Sequence, residues 1–165
     1  MENLAKELKA RFEGAKRVAV LGIGSELRGD DAAGMLVAES IAKSKKKMPR
    51  GTALRAFAGS TAPENLTGEI RKFRPEHLVM VDTAEMKRKP GTVILLSPEA
   101  VGAGVSFSTH KLPAEILIDY FIKSLKCKVT MIGIQPKSIK FGQDVSGEIK
   151  KCAKEVSGAI MRGIA

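Results

Sequence analysis

Two rhythms of apolar residues alternate along the chain. Short, nearly continuous apolar runs recur at "KRVAVLGIG" (16–24), "GTALRAFAG" (51–59), "HLVMVDTAE" (77–85), "TVILLS" (92–97, after the turn "KRKPG") and "CKVTMIGIQP" (127–136). Runs of this length and continuity suit strands buried on both faces of a sheet. Between them the apolar residues fall at helical spacing. "DDAAGMLVAESIAKSK" (30–45) turns Met35, Leu36, Ala38 and Ile41 to one side and opens on acids. "APENLTGEIRKF" (62–73) has Pro63 in its first turn, "LPAEILIDYFIKSL" (112–125) is opened by Pro113, and "VSGEIKKCAKEVSGAIMRGI" (145–164) closes the chain. A polar-faced helix over about residues 2–13 precedes the first run. Acids near a helix start and proline in its first turn both suit the free amides there. Strands alternating with helices predict an α/β fold with a mostly parallel sheet covered by helices on both faces. No linker or repeat divides residues 1–165, so one domain is expected.

In such a sheet, ligands bind beyond the carboxyl ends of the strands, where the strand order reverses. The residues that follow each strand are therefore the place to look for chemistry. Asp30 and Asp31 come after the first strand, Gly59, Ser60 and Thr61 after the second, and Asp82 is read as the end of the third. Gln135, Pro136 and Lys137 follow the last strand, and the loop "VGAGVSFSTHKLP" (101–113) carries His110. The other histidine, His77, falls at the opposite end of its strand from Asp82, which suggests a surface or structural role.

Each of these has an ordinary explanation. Asp30 can cap the helix that follows, Asp82 can be a turn residue, and His110 a loop residue. A single cap does not need Asp31 as well. Two carboxylates and an imidazole arriving from separate loops would suit a divalent transition metal.

Composition narrows the classes. Aromatic residues make up 4% of the chain and tryptophan is absent, which argues against a stacking platform for single-stranded nucleic acid. The net charge of +10 comes from lysines and arginines scattered over predicted helices and loops, a solvated surface rather than a nucleic-acid footprint. The two cysteines, Cys127 and Cys152, lack the close spacing of a zinc or redox motif and are expected to be reduced packing residues. "MENLAKELKARF" is a charged amphipathic helix rather than a leader, and no apolar run is long enough to span a bilayer, so a cytoplasmic protein without membrane insertion is expected.

Two familiar motifs can be tested against the first loop. A dinucleotide fingerprint needs G-x-G-x-x-G/A and an acid after the next strand. Gly22 and Gly24 fit, but Leu27 holds the third place and "ALRAFAGST" has no acid, so that reading fails. A phosphoryl-receiver module would use Asp30 and Asp31, Asp82 and Lys137. Against it, Ser25 to Gly29 separate the strand from its acids, Pro136 precedes the lysine instead of following it, and His110 has no task. It remains the alternative signalling reading.

Five collinear segments, "GIGSELRGDDAAG", "GSTAPENL", "RPEHLVMVDTAEMKRKPG", "STHKLP" with "LIDYF", and "IGIQPKSIKFG", resemble the hydrogenase maturation proteases. The branch serving formate-hydrogenlyase-type enzymes is the most similar. The resemblance implies a twisted five-stranded sheet in a three-layer sandwich, with the site in a cleft at the strand ends. It also implies an endopeptidase that trims the C-terminal extension of the [NiFe]-hydrogenase large-subunit precursor. Nickel would be carried by that precursor rather than held by the free enzyme. By position, the family's metal contacts and catalytic residues fall on Asp31, Asp82 and His110. Asp30 would support the site by capping the helix and holding the loop, while Gly22, Gly24 and Gly29 would let the backbone approach another chain. The chain is expected to act as a monomer, and a binding-only maturation factor that leaves the tail uncut is a second alternative. Two departures touch the cleft: Ser25 stands where the family often has Asn, and "AFAGST" lacks the family's acid after the second strand.

Overall fold

Five strands of the sheet stand in the order β2-β1-β3-β6-β4 in a computed structural model that describes residues 1–102, 105–108 and 112–164. Strand β1 spans Arg17–Ile23, β2 Ala53–Ser60, β3 His77–Glu85, β4 Val93–Leu96 and β6 Lys128–Ile134; β5, Ser106–Phe107, lies off this path. The pairs β1–β2, β1–β3 and β3–β6 are parallel, and β4 closes the edge antiparallel to β6. The five expected runs thus form the main path. The two-residue β5 is a sixth strand that the sequence pattern did not indicate, because two residues are too few to show alternation.

Side-chain alternation in the strands builds two cores. Val18, Val20, Val79, Val81, Ile132 and Ile134 pack on one face against α1 (Glu2–Arg11), α2 (Ala33–Lys43) and α5 (Gly147–Ile164). Ala19, Leu21, Ile23, Leu78, Met80 and Met131 face the other way, toward α3 (Thr67–Phe73) and α4 (Ala114–Leu125). The result is a three-layer sandwich with helices on both faces. Cys127 and Cys152 are buried and unbridged, and burial pushes each thiol up to about 11. They are packing residues, as their spacing suggested. Among the described residues, no helix is long and apolar enough to cross a membrane.

Several boundaries differ from the sequence reading. Strand β3 runs three residues beyond Asp82, because Ala84 and Glu85 pair antiparallel with Phe107 and Ser106 of β5. Asp82 is therefore interior to a strand. The stretch 62–73 begins as a 3-10 turn, Pro63–Leu66, before α3, and Asp30 and Asp31 sit in a second such turn, Gly29–Ala32, before α2. His77 is 2% exposed, so its role is structural and not superficial. Its Nε2 lies 2.8 Å from Thr130 Oγ1, and its ring packs edge-on to Phe12 with centroids 5.0 Å apart. Burial, then the nearby charges of Lys128 and Arg11, push it down to about 4.

The strand order reverses beside β1: the chain passes from β1 outward to β2, then returns to place β3 on the other side. Helix α2 begins in the crevice this opens. A Cβ at Gly34, in its first turn, would lie 2.1 Å from the Val81 carbonyl oxygen and 2.4 Å from that of Ile23. A Cβ at Gly22 would lie 2.2 Å from the Gly34 carbonyl oxygen, and one at Gly24 1.8 Å from that of Asp31. Gly22 and Gly24 thus admit the turn and helix that follow them, while Gly29 meets the Ser138 carbonyl.

Gly34→Ala should cost about 3 kcal/mol or more, since backbone on both sides cannot yield. Gly68→Ala, in α3 with nothing within 4 Å of the added methyl, should be neutral or stabilise by about 0.5–1 kcal/mol. Denaturant melts of both variants check the contrast; equal stabilities would mean that α2 does not need this approach.

Candidate active site

Three aspartates near the reversal point, Asp30, Asp31 and Asp82, are each no more than 1% exposed. A buried carboxylate is costly unless hydrogen bonds replace its water, so the partners of each one indicate its role. Asp30 is fully occupied. Its Oδ2 accepts from the amides of Lys137 (2.8 Å) and Ser138 (3.2 Å) and from Ser146 Oγ (3.0 Å). Its Oδ1 accepts from the Ser146 amide at 2.7 Å. It makes no side-chain cap to α2, whose cap position is Ala32. The capping expectation is thus corrected: the acid's position inside the 3-10 turn points its carboxylate across to the 137–146 segment, which it holds in place.

Asp31 and Asp82 face each other through one hydroxyl. Ser108 Oγ lies 2.5 Å from Asp31 Oδ1 and 3.0 Å from Asp82 Oδ1. The Ser25 amide donates to Asp31 Oδ2 at 3.1 Å, and the Thr83 amide to Asp82 Oδ1 at 2.7 Å. Asp82 Oδ2 is buried and, among the described residues, has no hydrogen-bond partner. Burial pushes the Asp82 carboxyl up to about 8; the Thr83 and Ser108 hydrogen bonds pull the other way, and the charge of Asp31 adds to the rise. A serine hydroxyl has one proton and cannot donate to both acids. A protonated Asp82 resolves the count: it donates to Ser108 Oγ, whose own hydroxyl donates a hydrogen bond to Asp31.

Neighbouring side chains fix this pair. Thr83 Oγ1 donates to the Asp30 carbonyl at 3.1 Å and so links the end of β3 to the turn carrying both acids. Buried Gln135 accepts the Met86 amide at 2.7 Å and the Arg88 amide at 3.3 Å, which sets the loop after β3. In the sequence Ser108 is only one residue of the loop that carries His110, and its bridging role was missed. No motif marks it; the only clue was its place in the loop after the fourth predicted strand. His110, with Thr109 and Lys111, lies outside the described residues. Among the described residues no three His, Cys, Asp or Glu side chains form a metal-holding group.

The receiver reading loses its cation here. Lys137 turns its Nζ to Glu148 at 3.0 Å, a largely exposed pair, and only its backbone amide reaches the acids.

A two-acid crevice at the reversal point of a three-layer α/β sandwich defines the class, and likeness to known proteins gives the family. The hydrogenase maturation protease family model matches residues 35–163. The hydrogenase 3 maturation protease of Escherichia coli K12 is 32% identical over 137 residues, 83% of this chain and 84% of its own. The hydrogenase 2 maturation protease of the same strain is 30% identical over 129 residues, covering 75% of this chain and 76% of its own. The crystal structure of HycI, a [NiFe] hydrogenase maturation protease from Thermococcus kodakarensis KOD1, superimposes with a TM-score of 0.82 at 31% identity. That match covers 96% of this chain and 98% of the other. The chain belongs to the hydrogenase maturation protease family and is a protease.

The raised Asp82 carboxyl has a consequence for stability. Between about pH 4, where an unfolded aspartate ionises, and about pH 8, the folded protein keeps a proton that the unfolded chain releases. Its contribution is complete below that window and is lost as pH rises through it. For the metal-free protein, the melting temperature of Asp82→Asn minus that of wild type should climb steadily between pH 4 and pH 8. A difference that stays flat across that range would mean that Asp82 ionises normally.

Proposed function

We propose that this protease removes the C-terminal extension of a [NiFe]-hydrogenase large-subunit precursor and recognises the nickel already bound there. The observation that carries the reading is the meeting of Asp31 and Asp82 across the Ser108 hydroxyl, just past the last β1–β3 pair, Gly22 with Val81. The names of the relatives support the substrate class. Nickel belongs to the substrate in this scheme and is held by precursor thiolates. Asp31, Asp82 and His110 would meet it from the protease side.

The unpartnered Asp82 Oδ2 supports a role in meeting a cation, since a buried acceptor without a donor is rare in a native protein. A cation close by would lower the raised carboxyl pKa and release its proton. Ser108 would then be free to give its hydrogen bond to either acid. Oxygen and nitrogen ligands alone should hold nickel less firmly than thiolates do. The free protease would therefore be metal-free.

Asp31 is assigned as the base that activates water. In that step a water proton passes to the carboxylate as the water oxygen attacks the scissile carbonyl carbon. Collapse breaks the C–N bond, and the proton moves to the departing nitrogen. Covalent catalysis by cysteine has no support in the geometry. Cys127 precedes β6 at the opposite edge of the sheet, Cys152 is buried in α5, and both thiols are pushed up to about 11.

Mass spectrometry of a nickel-loaded precursor should show loss of its C-terminal peptide with wild type. Asp31→Ala or His110→Ala should slow that loss by at least about a hundredfold, the range expected for removing a general base. Normal cleavage by His110→Ala would remove the imidazole from the site. A wild type that binds the precursor and leaves it intact would favour a binding-only factor. Equilibrium dialysis of the free protein should show no tight stoichiometric nickel.

A further inference from the structure

Two large apolar side chains stand out into solvent beside this site. Leu27 is 65% exposed and Phe141 is 78% exposed. They come from separate loops, 25–30 and 137–146, which are laced together. The Gly142 amide donates to the Leu27 carbonyl at 2.8 Å, the Gly29 amide to that of Gln143 at 3.1 Å, and the Asp30 amide to that of Ser138 at 2.9 Å. Arg28 Nε reaches the Ile139 carbonyl at 3.3 Å, and the buried Asp30 carboxylate takes its donors from the same segment. The approach is close enough that a Cβ at Gly29 would lie 2.8 Å from the Ser138 carbonyl oxygen.

The same lacing ties the apolar pair to the acids. The Ser25 amide donates to Asp31, and its hydroxyl oxygen accepts from the Leu27 amide at 3.3 Å. The amides of Arg28 and Asp31 continue the turn, donating to the carbonyls of Ser25 and Arg28. Leu27 is thus one turn from Asp31 on a loop whose backbone is already fixed. Among the described residues both side chains stand mostly uncovered. Apolar groups held rigidly in water are suited to a partner, because their ordering cost is met before binding.

We infer that Leu27 and Phe141 form an apolar clasp for the large-subunit precursor, seating an apolar side chain of the segment next to its metal. This rests on the protease reading above and adds a specificity element to it. The occupant follows from continuity with the site: a partner that brings its metal to Asp31 must pass over this rim. The rim's nearby charges are of both signs, Glu26 against Arg28 and Lys140, all exposed. With opposite signs side by side they leave only a small positive balance, so the apolar contact sets the preference.

The test uses the full chain and the nickel-loaded precursor, with cleavage rates and binding measured side by side. Leu27→Ser and Phe141→Ser should each raise KM, and the dissociation constant of the intact precursor, by about tenfold. kcat at saturation and the melting temperature should stay near wild type, because both side chains are outside the core. Leu27→Met and Phe141→Leu should restore most of the affinity, and the loss should persist at high salt. If wild type cleaves the precursor and the serine variants have unchanged KM, the clasp is overturned while the protease reading stands. If wild type does not cleave but the variants still lose precursor binding, the clasp stands and the cleavage reading falls. Loss of affinity accompanied by a lowered melting temperature in both the serine and the conservative variants would overturn the clasp in favour of a purely structural role.

Discussion

The close approach of α2 to the ends of β1 and β3 is the constraint on which the rest of the site depends. A helix that starts within van der Waals reach of two strand carbonyls cannot carry a side chain at the contact, and Gly22, Gly24 and Gly34 meet that demand. The turn just before the helix is consequently forced into the crevice where the strand order reverses. Asp31 enters the interior because its neighbours three residues on and seven residues back have no side chains. Moving the helix outward by the width of a methyl group would carry the acid away from Asp82.

The buried acids have different environments, and the difference has a use. Asp30 is surrounded by amides and a hydroxyl and behaves as part of the framework. Asp82 has one oxygen served and one left bare. Among the described residues His77 Nδ1 shares that cost, but only the Asp82 oxygen belongs to the pair facing the crevice. Sites that meet a charged ligand commonly carry such local deficits, which the ligand then relieves.

Much of this was legible in the sequence, for identifiable reasons. Continuous apolar runs marked β1, β3 and β6, since burial on both faces leaves no room for polar alternation, while the edge strands β2 and β4 are only partly buried. Asp31 and Asp82 stood out because acids are rare at the ends of such runs. Other features depended on contacts between distant segments. Nothing local shows that Asp30 would reach Ser146, or that β5 would lengthen β3 and place Asp82 inside it. Ser108 is one of many serines until the fold sets it between two carboxylates. The glycine pattern was noticed, but not that Gly22 and Gly24 admit the turn and helix that follow them.

Strand β3 carries one buried titratable group toward each end, His77 and Asp82, displaced in opposite directions. Between about pH 4 and about pH 6.5, the imidazole gains a proton on unfolding while the carboxyl sheds one. Opening the molecule in that interval therefore transfers charge along a single strand without drawing on the buffer. These two groups give the folded state a level stretch in mildly acidic solution, with a decline beginning only above neutrality's lower edge, where the carboxyl acts alone.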